Sequence, residues 1–183
     1  MNSSFYYRKL SDLNKSIFCI RTLIFYRSTN FDHERNFELT LEMKLLISSA
    51  FVQITFGLKR DRLHILNNIF IAPRNYSYRH IDKLFKGDVN LNTKTVSLAW
   101  PAVQNGFNAP DDGINLCIHE FAHCLIIENS KSNFLSAIFD HRLLESWKKL
   151  GRKKVQKIKK NDSNFLRDYA GTNLMELFAV SLE

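Results

Sequence analysis

The apolar run Ile17–Tyr26 is too short for a membrane span and is broken by Arg21. It is read as part of an amphipathic helix over about residues 11–27, starting near Ser11. A second helix is predicted over about 40–56. Two shorter apolar segments, about 67–72 and 94–100, read as strands, each closed by a proline without a backbone donor, Pro73 and Pro101. Gln104–Gly113 is rich in Gly, Asn, Asp and Pro and reads as a loop. It leads into an apolar helix around residues 114–127, with Asp111 or Asp112 as the expected N-cap. A basic helical stretch follows at about 141–160, with a break expected at Gly151. A short apolar helix around Glu176 closes the chain. Helices and a small sheet in this order give an α+β chain.

The apolar helix carries His119-Glu120-Phe121-Ala122-His123, an instance of HExxH. Residues four apart on a helix lie one turn above each other, so both imidazoles can reach one metal ion. The Glu between them falls beside the metal's open position. This is the arrangement of zinc peptidases, with two ligands and a general base on one helix. The competing reading is two histidines on the polar stripe of an amphipathic helix. The flanks argue against it, because Leu116, Ile118, Leu125, Ile126 and Ile127 are apolar nearly all round. Two His and a Glu buried without partners would be costly, and a metal satisfies them.

Zinc requires a third protein ligand and an open position for water. The three-histidine pattern HExxHxxGxxH is excluded, because Ile126 and Asn129 stand where it requires Gly and His. The remaining candidates downstream are Asp140, His141, Glu145, Asp162, Asp168, Glu176 and Glu183, and spacing alone does not choose between them. Glu176 is favoured as the one acidic group near the start of an otherwise apolar helix. Glu145 precedes Lys148 and Lys149, where a solvated salt bridge is the simpler reading.

The stretch Tyr169–Glu183 resembles the "YA-x-TN-x-x-EFFAV-x-SE" segment of the Mlc titration factor A family of zinc peptidases. Asn115 through His123 matches that family's "N-x-x-x-HEFAH". Val96–Trp100 resembles its "V-x-LSW" strand, and Leu39–Ile47 its "LT-x-E-x-x-x-x-I". The order matches from about residue 36 to 183. The last segment is also similar to the anthrax lethal factor catalytic domain. The resemblance implies His119, His123 and Glu176 as zinc ligands, with one zinc per chain. It implies Glu120 as general base and Tyr169 as a candidate stabiliser of the transition state, against the alternative of a structural aromatic at a helix entry. It implies a zincin-like fold, with the small sheet packed against the HExxH helix and a second ligand-bearing helix. The chain departs from the family at Ile126, where Asp is usual, and at Leu177, where Phe is usual. It also stops at Glu183, before the family's usual C-terminus. Glu183 is expected to be an outer-shell or packing residue, frayed at the chain end.

The implied activity is metal-assisted hydrolysis of a peptide bond, with a peptide or protein as substrate. The alternative is a protein-binding regulator that sequesters a transcriptional repressor, as the member that names the family does.

Composition agrees with one domain over residues 1–183, helical to about residue 60 and catalytic from about 61. With 183 residues, 45% hydrophobic and 15 Phe, the chain can bury one sizeable core. No secretory signal is apparent, and a cytoplasmic, non-membrane protein with reduced cysteines is expected. Cys117 and Cys124 read as small buried apolar residues rather than ligands, because Cys124 projects about a quarter turn from His123. The net charge of +8 resides in one segment: positions 142–160 hold nine basic residues and one acidic, and the rest of the chain balances. A solvated helix face, with Leu143, Leu144, Trp147, Leu150, Val155 and Ile158 inward, is preferred to a nucleic-acid surface. Strand 94–100 has two open readings, an ordinary core strand or an exposed edge that would hold an extended peptide.

Overall fold

Two hydroxyl side chains open the N-terminal helices. The computed structural model describes residues 5–58, 60–109, 112–132, 137–160 and 165–183. After a one-turn helix α1 (Phe5–Arg8), α2 spans Asp12–Ser28, and the Ser11 hydroxyl accepts from the Asn14 N–H. Strand β1 (Asn30–His33) leads to α3 (Leu41–Thr55), where Thr40 Oγ1 accepts from the Met43 N–H. Then come β2 (Asn68–Ala72), β3 (Gly87–Asn90), β4 (Thr95–Ala99) and α4 (Trp100–Asn108). The C-terminal part holds α5 (Leu116–Lys131), α6 (His141–Lys159), a 3-10 turn (Asp168–Gly171) and α7 (Leu174–Leu182). Among the described residues no helix is long and apolar enough to cross a membrane.

The four strands form one mixed sheet in the order β1-β2-β4-β3. β1, β2 and β4 run parallel, and β3 is antiparallel to β4, with Asp88 opposite Ser97. The sequence predicted only β2 and β4, the two interior strands. β1 (Asn-Phe-Asp-His) and β3 (Gly-Asp-Val-Asn) lie at the edges, bury little and so carry no continuous apolar run. The edge reading of segment 94–100 is corrected accordingly. β4 is paired on both sides, and the edge nearest the candidate site belongs to β3.

Three further expectations change. Trp100 and Pro101 open a helix rather than end a strand, because proline is tolerated in a helix's first turn, where its N–H has no partner to lose. Helix α4 therefore takes in residues 104–108 of the expected loop. The cap of α5 is Asn115, whereas Asp112 accepts from the nearby Ile114 N–H and Asp111 lies outside the described residues. Helix α6 runs unbroken through Gly151. A Cβ there would stand 2.8 Å from Leu174 Cδ2 and 3.2 Å from Leu177 Cδ2, so the missing side chain admits α7 instead of breaking the helix. In α6, Val155 and Ile158 are buried and Leu144 and Trp147 partly so, but Leu143 and Leu150 are exposed. Each sits one residue, about 100° of helix, off the buried line.

The main core lies between the N-terminal helices, the sheet and α5. Phe25 of α2 stacks on Phe51 of α3 with ring centroids 3.9 Å apart, and both meet Phe121 of α5 edge-on. Ile69, Ile71, Val96 and Leu98 cover the same core from the sheet. A smaller cluster, Val155, Ile158, Ala170, Leu177 and Val180, joins α6, the 3-10 turn and α7.

Candidate metal centre

Helix α5 divides its residues between two environments. Cys117, Phe121, Cys124 and Leu125 are fully buried in the core. Leu116, His119, Glu120, His123 and Ile127 line a cleft of about 810 Å³. The helix is held at its start by Asn115, whose Oδ1 accepts from the Ile118 N–H (3.1 Å) and whose amide donates to the Gly106 carbonyl (3.3 Å). Near its end, buried Glu128 accepts from the backbone N–H groups of His64 and Ile65 (3.1 Å each). This second acid of the helix therefore anchors the chain ahead of β2.

The imidazoles of His119 and His123 stand nearly perpendicular, with Nε2 atoms 3.1 Å apart. Glu176 reaches them from the first turn of α7. Its Oε2 lies 3.1 Å from His119 Nε2 and 3.4 Å from His123 Nε2. Asn173 sets that turn by accepting from the Met175 and Glu176 N–H groups (2.8 and 3.0 Å). Among the described residues, His119, His123 and Glu176 form a group whose ligand atoms converge closely enough to hold a metal ion. Glu176 Oε2 is buried without a hydrogen bond of good geometry. Three atoms each about 2 Å from one tetrahedral zinc would lie roughly 3.3 Å apart, close to the spacings found here. The donor set, two imidazoles and a carboxylate, suits zinc.

The other acidic candidates have different surroundings. Asp140 caps α6 through the Leu143 N–H, and Glu145 pairs with Lys148 at 2.7 Å. Asp168 begins the 3-10 turn, His141 begins α6, and Asp162 lies outside the described residues. Glu183 is not frayed as expected. Its carboxylate is 1% exposed, 2.5 Å from His119 Nδ1, and both oxygens accept from Arg167 Nη2 at 2.6 Å. Glu183 Oε2 also accepts from the Asn115 N–H at 3.0 Å.

These charges shape the site in the metal-free protein. Burial disfavours a charged Glu176, but the imidazoles of His119 and His123 outweigh it and hold the carboxyl down to about 2. Burial likewise disfavours an imidazolium at His119, yet Glu176, Glu183 and Glu120 carry its pKa up to about 9. Glu120 is pushed up to about 8, first by burial and then by the charges of Asp88, Glu176 and Glu183, against the pull of His119.

Glu120 is held by a contact with no sequence signal. An ideal Cβ on Gly87 of β3 would come within 2.6 Å of Glu120 Oε1. The glycine lets the sheet edge close over the carboxylate. Beside it, Asp88 Oδ1 accepts from the hydroxyls of Tyr76 (2.5 Å) and Tyr78 (2.8 Å). Tyr169, on the 3-10 turn, is half exposed, with its ring centroid 5.8 Å from that of His119. Its hydroxyl pKa is raised by burial and by the Glu176 and Glu120 charges. Arg167, Asn115 and Gly87 were not singled out in the sequence for roles at this site. Asn before a helix is an N-cap signal that could have found Asn173.

The family model described as glucose-regulated metallo-peptidase M90 matches residues 1–183, the whole chain. A protein of Synechocystis sp., described as uncharacterized, is 22% identical over 193 residues, which cover 97% of this chain and 70% of that protein.

Proposed function

The chain belongs to the glucose-regulated metallopeptidase family M90, the Mlc titration factor A family, and on that footing we propose that it is a zinc-dependent peptidase with a zincin-like catalytic unit. The observation that carries this reading is the convergence of His119 Nε2, His123 Nε2 and Glu176 Oε2 on one point of a deep cleft. These three side chains would hold the zinc. When bound, it would act as a Lewis acid on the scissile carbonyl and lower the pKa of the attacking water.

The chain's own groups do the rest. Glu120, one residue from the first ligand and buried against Gly87, takes the proton of the attacking water and returns it to the leaving amine. The Tyr169 hydroxyl, at the mouth of the cleft, donates to the oxygen that becomes negative in the transition state. The free edge of β3 offers backbone groups to an extended peptide laid along the cleft. The aromatic contact of Phe25 and Phe51 with Phe121 supports treating residues 1–183 as one catalytic unit.

The test compares hydrolysis of a fluorogenic peptide mixture by the zinc-loaded protein and its Glu120→Gln variant. The variant is expected to retain zinc, since Glu120 is not a ligand, and to lose about 10²–10⁴-fold in rate. Equal activity would remove Glu120 from the mechanism. A zinc-loaded wild type without activity would favour the protein-binding regulator.

A further inference from the structure

The two histidines of the centre are not held alike. His123 Nδ1 is buried with no hydrogen-bond partner among the described residues. His119 Nδ1 lies 2.5 Å from Glu183 Oε1. Glu183 is in turn fixed from two directions: both its oxygens accept from Arg167 Nη2, and Oε2 accepts from the Asn115 N–H, the residue that caps α5. A carboxylate paired with a guanidinium can only accept. The proton of a neutral His119 ring is then on Nδ1, and Nε2 keeps its lone pair facing His123 and Glu176.

We infer that Glu183 is a positioning residue, clamped by Arg167, that fixes His119 in the Nδ1–H tautomer with Nε2 directed at the metal. The inference rests on the metal site proposed above. It assigns the site an asymmetry: His119 is preorganised before metal arrives, and His123 is set by the metal. Partners of this kind fix ring orientation and raise the basicity of the ligating nitrogen, and losing one commonly costs 10–100-fold in metal affinity. Glu176 in the first turn of α7 and Glu183 at its C-cap lie seven residues apart, so the two ends of one short helix supply both the ligand and the group that orients another ligand.

The experiment measures zinc affinity by competition with a chromophoric chelator. Wild type, Glu183→Gln, Glu183→Ala and Arg167→Gln are compared, with exposed Glu145→Gln as control. In parallel, side-chain ¹⁵N NMR of the proteins without metal, at a pH high enough to keep both rings neutral, reads the histidine tautomers. Glu183→Ala is expected to weaken zinc binding by about 10–100-fold, and Glu183→Gln less, because an amide oxygen still accepts from Nδ1–H. The His119 resonances of the Ala variant should lose their single-tautomer pattern while those of His123 stay as in wild type. Circular dichroism shows whether each variant folds. If Glu183→Ala does not, Arg167→Gln leaves the carboxylate in place, loosens its clamp and should give an intermediate loss. Variant affinities within twofold of wild type, with an unchanged His119 pattern, would overturn the positioning role and leave the metal site standing. A wild type that takes up no zinc would overturn both.

Discussion

At the scale of single residues, the candidate base depends on an absent side chain. Glu120 is 5% exposed, and the space for its carboxylate exists because position 87 has no Cβ. In a Gly87→Ala variant the new methyl would meet Oε1 at 2.6 Å and Cγ at 2.9 Å, so the carboxylate must move. Because Glu120 is not a ligand, zinc content should stay at the wild-type level. Because catalytic geometry tolerates little displacement, turnover should fall by about 10²-fold. Elemental analysis and a peptidase assay on the same preparation check this. A variant as active as wild type would show that the sheet edge does not hold the base. The close approach of His119 and His123 was legible because the helical repeat turns a four-residue spacing into a spatial statement. Gly87 was not, because 32 residues separate it from Glu120 and no periodicity links an edge strand to what it covers.

At the scale of elements, the N-caps carry much of the local instruction. Ser11 and Thr40 put α2 and α3 within a residue or two of their expected starts. Asn173 does the same for α7 and has a second consequence, since one of the two N–H groups it satisfies belongs to Glu176. Asn173→Ala should therefore act twice. Loss of the cap should cost about 1 kcal/mol, which lowers the melting temperature by roughly 2–4 °C for a chain of this size. The zinc-induced rise in melting temperature should shrink as well, because a looser first turn holds Glu176 less firmly. Scanning calorimetry with and without zinc reads both effects. A lowered melting point with an undiminished zinc effect would make Asn173 a plain helix cap. The edge strands β1 and β3 were invisible to this level of reading, because short, half-paired segments need no apolar run. Helix α4 has no clear local signal, because Pro101 fits the end of a strand as well as the first turn of a helix.

At the scale of the molecule, α5 is the wall between core and cleft. Its inner face presents Cys117, Phe121, Cys124 and Leu125 to the Phe25–Phe51 stack and the sheet. Burial raises the thiol pKa of both cysteines, with the Glu120 charge adding to it, and Glu128 adds further at Cys124. Both should resist iodoacetamide in the native protein, whereas half-buried Cys19 on α2 should be modified first. Unfolding in guanidinium should make all three react. Peptide mapping by mass spectrometry distinguishes them. Native-state labelling of Cys117 as fast as that of Cys19 would mean that the inner face of α5 is not packed as described.

The local sequence by itself determined which residues could do chemistry and where most long elements begin. Both are set by short-range rules: the helical repeat for His119 and His123, hydrogen-bonding side chains for Ser11 and Thr40, and burial of periodic apolar positions for α2, α3, α5 and the interior strands. Tertiary structure decided how remote residues meet. Glu176 closes the triad because α7 packs on α5, with Phe178 against the main core, while Leu177 and Val180 tie the same helix to Val155 and Ile158 of α6. Glu183 is fixed at His119 by Arg167 rather than left loose, and β3 rather than β4 is the edge beside the base. Each of these contacts joins segments tens of residues apart, and such pairings follow from how apolar faces pack together, which no local pattern along the chain records.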